Sequence, residues 1–213
     1  IDAGAVVVGL LPGSRTQEIE GTLPVLHAAA ARIAATRPDA RFVLAAVQHT
    51  GHGAGPVAAL RGTQPPVQVV SGDTHAVMRA ADLLLVNSGT ATLEAALLGT
   101  PMVVCYRLSW LTEAIVRRLV RVPWISLANI TLGRTVVPEL YQRAFTPGRV
   151  AAEALRLLGS PAAIQAQRDA FAELGGVLGE PGVGLRAARH ILSVIDGRRV
   201  DVGAAFADSV GAS

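Results

Sequence analysis

Residues 82–105 constrain this chain more than any other stretch. An apolar run, Asp82-Leu83-Leu84-Leu85-Val86, meets a small polar turn, Asn87-Ser88-Gly89-Thr90-Ala91-Thr92. An apolar helical segment from Leu93 to Leu98 follows and is ended by Gly99, and a second strand-like run, Pro101-Met102-Val103-Val104-Cys105, comes straight after. Strand, small polar turn, helix, strand is the βαβ grammar of a parallel nucleotide-binding sheet. Backbone N–H groups in a Gly, Ser and Thr turn can approach an anion closely, and the helix N-terminus behind it adds about half a positive charge. Thr90 and Glu94 are four residues apart, on one helix face. A carboxylate there can accept two hydroxyl donors, such as the diol of a ribose. A plain capped helix, with Ser88 or Thr90 as N-cap and Glu94 supporting the first turn, fits the same residues.

At 213 residues the chain fits one large domain or two small ones. Its 51% hydrophobic and 16% charged residues suit a soluble, well-folded α/β protein. All 19 basic residues are arginine, which excludes a Schiff-base lysine and a P-loop lysine within the chain. A net charge of +3 does not demand a nucleic-acid partner. The apolar runs are strand-sized, short of the roughly 20 residues of a membrane span. The N-terminus has no basic n-region, so no signal peptide is expected. The chain starts at Ile1 inside what reads as a domain, which suggests a fragment or processed chain. The single Cys105 lies in an apolar strand and reads as a small core residue, and a chain without disulfides is compatible with the cytoplasm.

Ala5–Leu11 is the first strand, and Pro12-Gly13-Ser14-Arg15 follows at its carboxyl end, where open α/β sheets bind ligands. Gly13 permits close backbone approach, Ser14 offers a hydroxyl, and Arg15 can pair bidentately with phosphate. A strand-to-helix turn with a solvated arginine is the plainer alternative. Glu18–Thr36 has helix periodicity, with Gly21 and Pro24 placing its regular part from about Thr22. Arg41–Val47 is a second strand. His49 and His52 in the Gln48–Gly55 loop have no acidic or Cys neighbour, so no metal site is expected. Pro56–Arg61 is a short helix, and Val67–Val70 a third strand closed by Ser71-Gly72-Asp73, where Gly72 is placed to meet a base edge. Thr74–Ala81 is another short helix. Tyr106–Val122 reads as a helix with Trp110 among four arginines. It suits either an anionic membrane surface or a core-packing role. Pro123–Leu127 reads as a short strand. Asn129, Glu139 and Gln142 fall in a polar loop and short helix that return to the sheet edge. Thr146-Pro147 and Ser160-Pro161 are helix starts, for helices to Leu158 and about Leu174. Gly175–Gly184 reads as a loop, Leu185–Ile195 as a last helix and Asp196–Ser213 as a loose tail.

Taken together, these blocks resemble the C-terminal half of lipid-A-disaccharide synthases, glycosyltransferases of the GT-B type. The matching residues are Leu10–Arg15 with Glu18 and Glu20, Asn87–Ala95, Pro101–Val104 with Tyr106-Arg107, Val122–Asn129, Gly133-Arg134 and Val137–Gln142. They span about residues 5 to 195. The resemblance implies a Rossmann-like parallel sheet flanked by helices over residues 1–195, with the N-terminal acceptor domain absent from this chain. It implies transfer of 2,3-diacylglucosamine from its UDP derivative to 2,3-diacylglucosamine 1-phosphate (lipid X), forming the lipid A disaccharide and releasing UDP, with no metal or cofactor. Arg15 and Asn129 would be catalytic. Gly13, Ser14, Gly72, Ser88, Gly89, Thr90, Glu94, Glu139 and Gln142 would complete the UDP-sugar site with them. The Arg107–Arg121 segment would lie near acyl chains or the inner face of the cytoplasmic membrane. The expected partners are the two lipid substrates and a second copy or an N-terminal half that carries the general base; nucleic acid is not among them. Ala128 stands where a Pro is common in the family. Two rival readings fit the same turn: another GT-B transferase or UDP-sugar epimerase, and a non-catalytic nucleotide-binding or membrane-scaffold module.

Overall fold

Apolar runs pair into a six-stranded parallel sheet in a computed structural model, which describes residues 4–46, 54–60, 62–107, 123–179 and 182–195. The strands are β1 (Val6–Leu11), β2 (Ala40–Ala46), β3 (Val67–Ser71), β4 (Leu83–Asn87), β5 (Met102–Tyr106) and β6 (Glu139–Tyr141), in the order β3-β2-β1-β4-β5-β6. Burial follows this order. All five residues of the central β4 are buried, while Gln68 and Val69 of the edge strand β3 are exposed. The chain runs outward from β1 through β2 to β3, then returns to place β4 on the other side of β1. This reversal opens a crevice beyond the carboxyl ends of β1 and β4.

Alternate residues of each strand face two apolar layers. Leu10, Leu44 and Leu85 pack with α1 (Thr16–Thr36) and α6 (Pro147–Leu158) through Leu23, Leu26, Ile33 and Leu157. Leu84, Val86 and Met102 pack on the other face with α3 (Thr74–Ala80), α4 (Thr90–Leu97) and α5 (Leu127–Leu132). A short α2 (Ala54–Ala58) precedes β3, and α7 (Pro161–Ala172) follows α6. Thr146 and Ser160 cap α6 and α7, each with proline in the first turn, as their sequences indicate. Among the described residues, no helix is long and apolar enough to cross a membrane.

Three elements differ from the sequence expectation. Helix α1 starts at Thr16 and runs through Gly21 and Pro24. Pro24 and Glu20 are exposed, so the Glu20 carbonyl that loses its partner faces water, while Ile19, Leu23 and Leu26 remain buried below. Leu127 belongs to a helix, not a strand, because the Ser126 side chain accepts from the Asn129 N–H and caps α5. Between Gly175 and Gly184 the chain forms a short helix, α8 (Leu174–Leu178), and then starts α9 (Val183–Ile195). The chain divides into two compact units, Ile1–Leu174 and Gly175–Ser213.

Candidate functional site

An open cleft of about 420 Å³ lies at the crevice between the ends of β1 and β4. Gly13, Ser14 and Arg15 line one side, Asn87 to Ala91 the other, and Glu94 and Thr74 close it toward α3. The βαβ turn and the Pro12–Arg15 loop, 72 residues apart at their nearest (Arg15 to Asn87), thus share one cavity.

The turn after β4 is not a side-chain-capped helix start. Gly89 occupies the N-cap position of α4, with no side-chain cap. The Ser88 hydroxyl points away, donating to the Ile125 carbonyl at 2.8 Å. Thr92 Oγ1 donates to the Gly89 carbonyl at 2.8 Å and accepts from the Leu127 N–H at 3.3 Å. A Cβ built on Gly89 meets nothing within 4 Å, so the space above the turn is open. The Thr92 N–H donates to the Gly89 carbonyl at 3.1 Å, and N–H groups of an uncapped first turn next to open space can receive an anion. Glu94 supports no cap either; its Oε2 accepts from His75 Nε2 of α3 at 2.9 Å.

The loop after β1 is built differently. Glu18 reaches back from the third helical position, and its carboxylate accepts from the Ser14 and Arg15 N–H groups at 3.0 and 3.3 Å. It also pairs with the Arg15 guanidinium at 3.0 Å. This is half of a capping box, with the acid satisfying donors at the helix start. Gly13 makes it possible: its φ is +113°, and a Cβ there would lie 2.5 Å from Glu18 Oε2 and 2.9 Å from Asn87 Nδ2. The Arg15 side chain is 82% exposed, so this loop presents a guanidinium rather than bare N–H groups to the cleft.

Four expected site residues lie outside the lining of this cleft. Asn129 is fully buried and saturated. Its Nδ2 donates to the Val137 carbonyl and to Glu139, and its Oδ1 accepts from the Val136 and Val137 N–H groups, all within 2.9 Å. With both donors and both acceptor sites filled, it has no capacity left for a substrate. Glu139 accepts from the Ile125 N–H, from the Ser126 N–H and hydroxyl, and from Asn129. Three of these donors converge on Oε1 and one reaches Oε2, so the carboxylate is tied to the Ile125–Asn129 segment through both oxygens. Gly72 donates its N–H to the Ala46 carbonyl at the end of β2. Gln142 follows β6, two strands away from β4, with φ of 53°. Asn129 and Glu139 instead brace the turn from behind, because the Ile125–Leu127 segment they hold contacts Ser88 and Thr92.

Other expectations have simpler outcomes. Cys105 is fully buried, and burial pushes its thiol well above the range of a nucleophile, as a core residue requires. Arg107 donates to the Phe145 carbonyl and lies over its ring. Trp110 and the rest of the Arg107–Arg121 segment lie outside the described residues, as do His49 and His52. Among the described residues no group of three His, Cys, Asp or Glu side chains could hold a metal. The sequence reading gave no role to Asn87, Glu18 or His75. Glu18 carried a signal, an acid three residues into a helix after a Gly-rich turn. His75 carried none, because only the sheet order brings α3 beside α4.

The match to known proteins agrees with this geometry. Residues 1–174 match the family model for lipid-A-disaccharide synthetase. The lipid-A-disaccharide synthase of Anaeromyxobacter dehalogenans is 44% identical over 196 residues, 92% of this chain and 51% of that protein. The chain therefore spans about half the length of the curated relatives it matches. The calicheamicin glycosyltransferase CalG4 superposes with a TM-score of 0.57 at 19% identity, covering 94% of this chain and 44% of that one. The UDP-GlcNAc 2-epimerase of Neisseria meningitidis bound to UDP-GlcNAc gives 0.57 at 14%, covering 92% and 46%. These two share the fold, a Rossmann-like parallel sheet flanked by helices. With the family model matched over residues 1–174, the chain belongs to the lipid-A-disaccharide synthetase family.

Proposed function

We propose that this chain forms the donor-nucleotide half of a lipid-A-disaccharide synthase. It holds UDP-2,3-diacylglucosamine while the sugar passes to 2,3-diacylglucosamine 1-phosphate and UDP departs. The observation that carries this reading is the pairing, in one cleft, of an uncapped helix N-terminus at Gly89–Ala91 with the exposed guanidinium of Arg15. In the transfer, the acceptor hydroxyl attacks the anomeric carbon, the bond from that carbon to the diphosphate breaks, and negative charge grows on the leaving UDP. Fixed N–H dipoles and a cation at that position stabilise the charge as it develops. Glu94 supplies acceptors for the ribose hydroxyls. The hydroxyl proton must go to a base on the other wall of the cleft, which a second domain or partner would provide. Both substrates carry acyl chains, and Trp110 with its neighbouring arginines supports work at an anionic membrane surface. The match to one family over residues 1–174 favours this reading over an epimerase or a bare nucleotide-binding module.

Calorimetric titration with UDP tests it. The wild-type chain should bind UDP, and Arg15→Ala should weaken binding about tenfold, the scale of one charge-assisted contact. Binding that is absent, or indifferent to Arg15→Ala, overturns the donor-site assignment.

A further inference from the structure

We infer that His75 is a positioning residue that fixes the Glu94 carboxylate for a vicinal diol and so makes the cleft selective for ribonucleotides. The inference rests on the donor-site reading above. Glu94 and His75 come from different helices, α4 and α3, and meet at 2.9 Å through Oε2 and Nε2. Both side chains are partly exposed, at 43% and 55%. Glu94 lines the cleft one turn in from the α4 N-terminus. An ionised carboxylate only accepts, so His75 Nε2 carries the hydrogen and donates it. That contact occupies one lone pair of Oε2 and stops rotation of a three-torsion side chain. The remaining acceptor sites are then held in a plane, where two adjacent hydroxyls can be accepted together. A free Glu94 would have to be ordered at the moment of binding, which weakens the diol contact.

Competitive calorimetry with UDP and 2′-deoxy-UDP on the full 213-residue chain tests this, using His75→Phe and His75→Gln. Phenylalanine keeps the ring shape without the donor, and glutamine returns an N–H near the place of Nε2. Wild type should prefer UDP about tenfold over 2′-deoxy-UDP. His75→Phe should cut the preference to about threefold by weakening UDP alone, and His75→Gln should restore most of it. A preference that His75→Phe leaves intact overturns the inference while the donor-site reading stands. So does equal weakening of both ligands, or a loss that glutamine does not rescue. Failure of wild type to bind UDP sinks the donor-site reading and this inference with it. Thermal melts should be unchanged in both variants, since the pair is at the surface.

Discussion

The Ser88–Glu94 turn and the Ser126–Glu139 cluster behind it are made of the same kinds of side chain, yet they end in opposite states. In the cluster, every hydrogen-bonding site of Asn129 is filled, and Glu139 accepts four donors. In the turn, α4 begins without a side-chain cap beside open space. A saturated polar group can brace but cannot bind, and an unsatisfied one at a surface can bind but contributes little to stability. The two are mechanically joined, because Ser88 and Thr92 are hydrogen-bonded to the segment that Glu139 and Asn129 hold. The open turn is thus tied by hydrogen bonds to a closed cluster behind it.

The largest effect should come from the closed region. Asn129→Ala removes the acceptor for two backbone N–H groups and a donor to Glu139, leaving them unpaired in a buried place. A loss of about 3 kcal/mol is expected, lowering the melting temperature by roughly 6–12 °C in a unit of this size. Urea melts check it; a stable Asn129→Ala protein that has lost UDP affinity would return Asn129 to the binding site and break the contrast. Glu139→Gln comes next. It puts an N–H₂ among donors, at a cost of about 2 kcal/mol, and the same melts should show it with a smaller shift in midpoint.

The sheet was readable in advance because its core strands are continuous apolar runs and its helix starts carry Ser, Thr and Pro at fixed positions. β6 was not, because three residues, Glu139-Leu140-Tyr141, are too few to show a period. The two loops lining the cleft were legible from their Gly and Ser residues and their place after strands. The backbone partners of Asn129 and Glu139 were not legible, because composition cannot tell a polar group aimed at a ligand from one aimed at backbone. His75 escaped notice because its partner lies 19 residues away and on another helix. What remained hidden was the hydrogen-bond partner, which only the fold assigns.

The two cleft glycines give finer tests of the same contrast. Gly13 has a left-handed φ and packs tightly against Glu18 and Asn87, so Gly13→Ala should cost about 2 kcal/mol through strain and a displaced Glu18. Gly89 has extended backbone with φ of 165°, which alanine adopts freely, and its added methyl meets nothing. Gly89→Ala should therefore change stability by less than about 0.5 kcal/mol, the small difference between glycine and alanine at an N-cap. Its effect should appear in binding instead. The methyl adds bulk beside the first-turn N–H groups in the open space an anion would enter, and UDP affinity is expected to fall about threefold to tenfold. Parallel melts and UDP titrations of the two variants separate these outcomes. If Gly89→Ala binds UDP as wild type does, the diphosphate does not sit on the α4 N-terminus. Arg15 alone would then have to carry the anion, and the open end of the helix would be open for another reason.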